Sequence, residues 1–182
     1  LILSPGAAPI KPPIPGIDAP CIFTLRNVAD TDAIIAYAAE KKISRALVVG
    51  AGFIGVEMAE NLHSRGVSVS VVEMLDQVLP PFDRDMAVLV HEHMRAKGIS
   101  LSLGASVASF AKDGAGVNAV LSDGKSIPAD MVILSIGVAP DTAMIKAAGI
   151  ECGERNAILV NEYLQTSDAS MYAVGDIRSR VW

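Results

Sequence analysis

Three glycines and one acid have the residue types and the spacing of a dinucleotide-binding site. Gly50, Gly52 and Gly55 form a Gly-x-Gly-x-x-Gly pattern directly after an apolar run, and Glu73 ends a second apolar run. In such a site the first glycine permits the turn off a strand, the second lets the backbone approach a pyrophosphate, and the third lets the helix pack closely on the sheet. The pattern therefore predicts a site for a nicotinamide dinucleotide.

The helix after this turn and the acid at the end of the next strand refine the prediction. Ile54 lies in the first turn of that helix, whose free N–H groups and positive dipole end face the phosphates. A carboxylate at Glu73 accepts hydrogen bonds from both ribose hydroxyls and repels a 2′-phosphate, so NADH is favoured over NADPH. Nearby Arg84 keeps NADPH use open, because arginine binds phosphate well. A solvated acid at a strand end is the alternative interpretation of Glu73.

Apolar spacing and turn residues predict an α/β fold, a Rossmann-like doubly wound parallel sheet that carries an antiparallel β-meander. Prolines make the first 26 residues an extended connector after a short opening strand. The predicted elements that follow are a helix near 30–41, a strand–turn–helix–strand unit over about 46–73, a helix between Asp83 and Gly98, the meander over 99–127, a buried strand at 131–136, a short helix at 142–148, and strands at 158–160 and 171–174.

Composition and charge narrow the class of protein. The 182-residue chain is 51% hydrophobic, which suits a globular core, and its apolar runs are too short for a membrane helix. A net charge of −5 with scattered basic residues offers no face for nucleic acid. Cys21 and Cys152 are far apart and form no metal or disulfide motif, so we expect reduced thiols and a cytoplasmic protein. The histidines His63, His91 and His93 have no partner at a useful spacing and are predicted to be solvated or packed.

Motifs on both sides of the glycine turn resemble one family. They are Leu-Ile-Leu-Ser-Pro-Gly at 1–6, Ser-Ile-Gly-Val-Ala-Pro-Asp at 135–141, and the segment 166–176, which ends in Ala-Val-Gly-Asp. In this order they resemble segments of the pyridine nucleotide-disulfide oxidoreductases, flavoenzymes in which an NAD domain is inserted into an FAD domain. The residues at 23–26 and 30–34 look most like the branch of coenzyme A-disulfide reductases and NADH oxidases.

The resemblance implies a domain organisation and a longer parent protein. The expected parts are a partial FAD-domain segment with its connector at 1–26, an NAD(H)-binding domain at 27–150, and a second partial FAD-domain segment at 151–182. The redox-active cysteine and the first FAD motif of the family belong before Leu1. We therefore expect this chain to be a piece of a longer protein and to contain no catalytic residue of its own.

The resemblance also assigns tasks to individual residues. Phe53 matches an aromatic that covers the flavin and moves aside for nicotinamide, and Glu57 matches an acid near the nicotinamide ribose. Gly137 matches a glycine that lets the backbone approach bound NAD. Asp176, after Gly175, matches the aspartate that holds the ribityl chain of FAD. An ordinary structural residue is the alternative at each position.

The function implied for the parent is hydride transfer from NADH to FAD, followed by reduction of a disulfide, persulfide, peroxide or oxygen. The expected cofactors are NAD(H) and FAD, the partner is a small-molecule substrate, and the parent is expected to form a homodimer through a C-terminal domain. Three alternatives stay open: a stand-alone NAD-binding sensor, a reductase of an iron–sulfur carrier, and a flavin-free dehydrogenase. The last needs an acid or base that the three tyrosines, Tyr37, Tyr163 and Tyr172, do not supply.

Overall fold

A computed structural model describes residues 1–180, and the chain divides into two compact units. The larger unit is Ile10–Gly137, and the smaller combines Leu1–Pro9 with the chain from Val138 onward. The strands, in chain order, are β1 Ile2–Leu3, β2 Ala7–Pro9, β3 Ile22–Thr24, β4 Arg45–Val49, β5 Ser68–Glu73, β6 Ser100–Leu103, β7 Val107–Asp113, β8 Gly116–Leu121, β9 Ser126–Ala129, β10 Met131–Leu134, β11 Val138–Pro140, β12 Ile158–Val160, β13 Tyr172–Ala173 and β14 Arg178–Arg180. The helices are α1 Val28–Lys41, α2 Phe53–Ser64, α3 Arg84–Ala96 and α4 Ala143–Ala147, with 3₁₀ turns at Glu154–Asn156 and Gly175–Ile177.

A five-stranded parallel sheet forms the centre of the larger unit. Its strand order is β3-β10-β4-β5-β6, and every neighbouring pair is parallel. Successive residues of a strand point to opposite faces, so Val48 and Ile133 enter one core while Leu47 and Val132 enter the other. This explains why β4 and β10 are apolar almost without interruption, as expected for strands covered on both faces.

Different layers cover the two faces of the sheet. Ile34 of α1, Leu62 of α2 and Met94 of α3 all belong to the core on one face. The antiparallel meander β7-β8-β9 covers the other face, where Phe110 and Leu121 join the core. The predicted α/β fold with a Rossmann-like parallel sheet and a meander is therefore confirmed.

The segment predicted as a meander over 99–127 contains one strand of another kind. β6, at its start, runs parallel to β5 and extends the main sheet, and the meander begins only at β7. The physical reason is the connection: α3 crosses over between β5 and β6, and such a crossover returns the chain in the same direction. β6 lies at the edge of the parallel sheet and alternates serine with leucine as a meander strand does, so its sequence does not distinguish the two kinds of strand.

The smaller unit has short strand pairs and its own core. β1 pairs with β13 and β12 pairs with β14 in parallel, whereas β2 and β11 are antiparallel. Its buried residues are Ile145, Ile150, Ile158, Val160, Ala173 and Ile177. Within residues 1–180, every helix is too short or too polar to cross a membrane.

Candidate dinucleotide site

The carboxyl ends of three neighbouring strands surround a cavity in the larger unit. β4 is followed in sequence by β5 on one side, whereas its other neighbour, β10, comes from much later in the chain. Such a reversal of strand order leaves a crevice at the carboxyl edge of a parallel sheet, where ligands bind. A cavity of ≈ 530 Å³ lies there, and its lining includes Gly50, Gly52, Glu73, Ser135 and Gly137.

The three glycines of the turn after β4 have different surroundings. Gly50 has a φ of 97°, and a Cβ there would overlap the backbone of Ser135. A Cβ on Gly55 would overlap the carbonyl oxygen of Gly50, so this glycine lets the first turn of α2 lie directly against the turn. Gly52 differs from both, because no protein atom lies within 4 Å of the position that a Cβ would take. The chain's own packing therefore requires Gly50 and Gly55 but leaves space at Gly52.

The Ser135 hydroxyl holds this turn, a role that sequence reasoning missed. Its Oγ lies 3.0 Å from the carbonyl oxygen of Val49 and 2.8 Å from that of Gly50. The backbone N–H of Ser135 also donates to Val49, at 2.7 Å. In the sequence, the only sign of this role is a serine directly after an apolar strand. That pattern is too common to show which backbone groups the hydroxyl bonds to.

Glu73 is buried and bonds to backbone on two sides. The residue is 8% exposed; its Oε2 accepts the N–H of Ala51 at 2.7 Å, and its Oε1 accepts the N–H of Leu75 at 2.9 Å. The alternative of a solvated strand-end acid does not describe this geometry. A carboxylate oxygen can accept two hydrogen bonds, and each oxygen of Glu73 accepts one from the backbone. Both oxygens therefore keep a lone pair for a ligand hydroxyl.

The start of α2 presents exposed side chains and backbone donors. Phe53 is 58% exposed, and its ring meets that of Phe82 edge to face, with centroids 5.9 Å apart. Ile54 and Glu57 are exposed as well. The N-cap of α2 is Gly52, which has no side chain that could cap the helix. The first-turn N–H groups are therefore oriented as an anion needs them.

The remaining residues that were predicted to bind a cofactor lie in different units, Gly137 in the larger and Gly175 and Asp176 in the smaller. Gly137, with a φ of 108°, lines the cavity, and only Ile10 Cδ1, at 3.8 Å, lies near the position of an added Cβ. Gly175 and Asp176 belong to the smaller unit, in a 3₁₀ turn where Gly175 has a φ of 81° and Asp176 is exposed. The cavity thus brings together Gly50, Gly52, Glu73 and Gly137.

The segment 74–82, which follows Glu73, is bonded to the glycine turn and to α3. Leu79 donates its N–H to the carbonyl oxygen of Ala51 at 2.8 Å, and Val78 donates its N–H to Nε2 of His91 at 2.9 Å. Asp76 of this segment forms an ion pair with Arg84. We refer to residues 74–82 as the β5–α3 loop.

Among the residues that the structure describes, the two cysteines belong neither to a disulfide nor to a candidate metal-binding group. Cys21 and Cys152 are free thiols, and burial raises the pKa of the Cys21 thiol. Among residues 1–180, His, Cys, Asp and Glu side chains form no group of three that could hold a metal ion.

The fold is that of an α/β protein of the Rossmann type, with a candidate dinucleotide site at the carboxyl edge of its parallel sheet. Residues 1–182 match the family model described as pyridine nucleotide-disulphide oxidoreductase, and the chain belongs to this family. An NADH oxidase of Methanocaldococcus jannaschii is 44% identical over 177 residues, which are 97% of this chain and 39% of that protein.

Two solved structures are similar to the chain over nearly its whole length. Reduced Bacillus anthracis CoADR-RHD is 52% identical with a TM-score of 0.92, and the match covers 97% of this chain and 32% of that one. An NAD-dependent persulfide reductase from A. fulgidus is 42% identical with a TM-score of 0.91, covering 97% of this chain and 33% of that one. The chain therefore spans about two fifths of the curated relative and about a third of these two structures.

Proposed function

We propose that this chain is the NADH-binding part of an FAD-dependent oxidoreductase that passes a hydride from NADH to FAD. The observation that carries the proposal is the space at Gly52, which lines the same cavity as the buried carboxylate of Glu73. A pyrophosphate needs such access to the backbone, and a ribose needs such an acceptor. The similarity to an NADH oxidase and to an NAD-dependent persulfide reductase supports the choice of cofactor.

Each residue near the turn has one task in this proposal. The backbone N–H groups of Phe53 and Ile54 bind the pyrophosphate where Gly52 leaves room for it. Glu73 accepts hydrogen bonds from the adenosine ribose with the lone pairs that its backbone bonds leave free. Glu57, exposed on α2, accepts from the nicotinamide ribose. Together these contacts fix the orientation of NADH, which is the protein's share of catalysis by a cofactor.

Further residues serve the flavin end. FAD, when bound, supplies the acceptor chemistry for the hydride. With both cofactors bound, Phe53 would cover the flavin and move aside for the nicotinamide, and Gly137 would let the backbone approach the NAD. Asp176 accepts hydrogen bonds from the ribityl hydroxyls, a task that suits an exposed carboxylate after a glycine of positive φ at 175.

The proposal extends to the whole protein. In this proposal the larger unit, Ile10–Gly137, is the NAD(H)-binding domain, because β3 pairs with β10 in its sheet, and Leu1–Pro9 together with the described residues after Gly137 contributes to an FAD domain. The electrons go to a small-molecule disulfide, persulfide, peroxide or oxygen through a redox cysteine that lies outside this chain. The protein is cytoplasmic and forms a homodimer through a C-terminal domain.

Calorimetric titration with NADH and with NADPH tests the nucleotide assignment. We expect the protein to bind NADH more tightly than NADPH. Glu73→Ala is expected to weaken NADH binding about tenfold, the factor for losing hydrogen bonds to a charged acceptor, and to reduce the preference for NADH. Glu60→Ala is the matched control, because Glu60 is an exposed acid of α2 that lies outside the cavity lining.

Circular dichroism on each protein separates loss of binding from loss of folding. If the folded protein binds neither dinucleotide, the proposed function is wrong. If Glu73→Ala folds and retains both the affinity and the preference, the task proposed for Glu73 is wrong, while the nucleotide site itself stands.

A further inference from the structure

The β5–α3 loop forms one wall of the candidate dinucleotide site. Met74, Leu75 and Pro80 of this loop line the same cavity as Gly52 and Glu73. The position of the loop backbone therefore determines the width of the cavity beside the carboxylate. Whatever holds the loop in place also determines how well a dinucleotide fits there.

Backbone hydrogen bonds connect this loop directly to the glycine turn. Leu79 has a left-handed backbone, with a φ of 49°, and its N–H reaches the carbonyl oxygen of Ala51 at 2.8 Å. Ala51 lies between Gly50 and Gly52, and its own N–H is held by Glu73. Both polar backbone groups of Ala51 are thus engaged, one of them by the loop.

A buried histidine holds the middle of the loop from the other side. His91 of α3 is 6% exposed, and its Nε2 accepts the N–H of Val78 at 2.9 Å. Val78 is fully buried and directly precedes Leu79. A ring nitrogen that accepts a hydrogen bond carries no proton, so the proton of the neutral imidazole is on Nδ1. A doubly protonated His91 has no acceptor left for Val78.

We propose that His91 is a positioning residue of the dinucleotide site: its neutral ring holds Val78, and through Leu79 the glycine turn, in the geometry that receives NADH. Protonation of His91 converts the acceptor into a donor that faces the N–H of Val78, displaces the loop and weakens NADH binding. This inference rests on the proposed NADH-binding function and adds pH control to it.

The charges around His91 set the direction of the pH effect. Burial lowers the pKa of His91 from its ordinary value of 6.5, and the positive charges of Arg95 and Arg84 on α3 lower it further, whereas Asp76 of the loop opposes them. A pKa that is lower with the loop in place means that the neutral ring favours the bound loop. NADH binding is therefore full above about pH 6.5 and falls as the pH decreases from there.

NADH titrations of the protein from about pH 8 to about pH 5 test this coupling across the titration range of histidine. In the unaltered protein, the Kd is expected to rise about tenfold toward the acidic end, the effect of losing one buried hydrogen bond. His91→Gln keeps a carbonyl oxygen as an acceptor that does not titrate, so its affinity is expected to remain high and much less dependent on pH. His91→Leu removes the acceptor and is expected to bind weakly at every pH.

Two comparisons make the test specific. His93→Gln is the matched control, because His93 is exposed on the same helix, and it is expected to keep the pH dependence. Thermal unfolding measured alongside separates structure from binding, since a purely structural role changes the melting temperature and leaves the Kd of the folded protein unchanged.

The outcomes separate the two proposals. A Kd that does not change with pH in the unaltered protein overturns the role of His91, and so does a pH dependence that His91→Gln retains in full. If His91→Leu does not fold, the pH dependence of the Kd in His91→Gln and in the unaltered protein still tests the role of His91. Absence of NADH binding at every pH in the unaltered protein refutes the proposed function instead.

Discussion

The carbonyl oxygen of Gly50 occupies the place that a Cβ on Gly55 would need, so the first turn of α2 and the turn after β4 are in direct contact. Gly52, between them in sequence, has no protein atom within 4 Å of its own Cβ position. The same motif therefore contains a glycine that the fold requires, Gly55, and a glycine at which the fold leaves room for a side chain, Gly52. This difference separates folding from binding experimentally.

Alanine substitutions at Gly52 and Gly55 should affect different properties, NADH binding in the first case and stability in the second. Gly52→Ala is expected to leave the free energy of unfolding within about 0.5 kcal/mol of its original value, because a Cβ there meets open space. It should nevertheless weaken NADH binding at least about tenfold, since the methyl group occupies the approach of the pyrophosphate. Gly55→Ala should lower the free energy of unfolding by about 1–3 kcal/mol through overpacking. Urea unfolding and NADH titration of both variants provide the comparison, and a Gly52→Ala protein that binds NADH normally would contradict the pyrophosphate assignment.

The ion pair between Asp76 and Arg84 predicts how the preference for NADH can be weakened. Arg84 is the cation that sequence analysis identified as a partner for a 2′-phosphate, and the structure pairs it with an acid of the β5–α3 loop. Asp76→Asn removes both that competitor and a negative charge that repels phosphate. We expect Asp76→Asn to bind NADPH about three- to tenfold more tightly than the unaltered protein at low salt, with a smaller gain at high salt. Its affinity for NADH should not change.

A double substitution shows whether Arg84 causes this gain. In Asp76→Asn combined with Arg84→Ala, the gain in NADPH affinity should disappear. Both partners are mostly exposed, so thermal stability should hardly change. If Asp76→Asn binds NADPH no better than the unaltered protein, Arg84 does not reach the 2′-phosphate.

The hydrogen bonds of Asp130 predict how the stability of the fold changes in acid. This residue lies before β10, at the edge of the parallel sheet away from the candidate site. Its carboxylate accepts hydrogen bonds from both N–H and Oγ of Ser44 and from the backbone and guanidinium of Arg45. The bond from the Arg45 guanidinium, helped by the backbone donors, holds the pKa of Asp130 well below its usual 3.8. Since the folded state has the lower pKa, the stabilisation is complete above about pH 4 and is lost as the pH falls below it.

Replacement by asparagine isolates this contribution. Asp130→Asn should lower the free energy of unfolding at pH 7 by about 1 kcal/mol, because it removes charge-assisted hydrogen bonds from Ser44 and Arg45, whose exposure to water limits their strength. The difference from the unaltered protein should shrink when urea unfolding is repeated near pH 3, because most Asp130 carboxyls of the unfolded chain, whose ordinary pKa is 3.8, are protonated there. The exposed acid Glu92, replaced by glutamine, is the control. A stability difference that stays constant with pH would contradict the charged hydrogen bonds, and NADH affinity should not change.

Local sequence determined the central unit of the fold. The apolar run before Gly50, the glycine spacing and the apolar run before Glu73 predicted β4, α2 and β5 close to their observed bounds. These features are readable because turns and helix starts depend on neighbouring residues and on backbone geometry that glycine alone adopts easily. The resemblance of the motifs to pyridine nucleotide-disulfide oxidoreductases was confirmed by the family match.

Tertiary structure decided how distant segments meet. The sequence did not distinguish the parallel β6 from a meander strand, and it described His91 only as packed or solvated. The hydrogen bonds of three side chains depend on where backbone groups lie after folding. They are the bond of His91 with Val78, the bonds of Ser135 to the glycine turn and the bonds of Glu73 with two backbone N–H groups. Every residue except proline carries the same N–H and C=O, so a side chain's backbone partner has no signature in the sequence and appears only once the chain has folded.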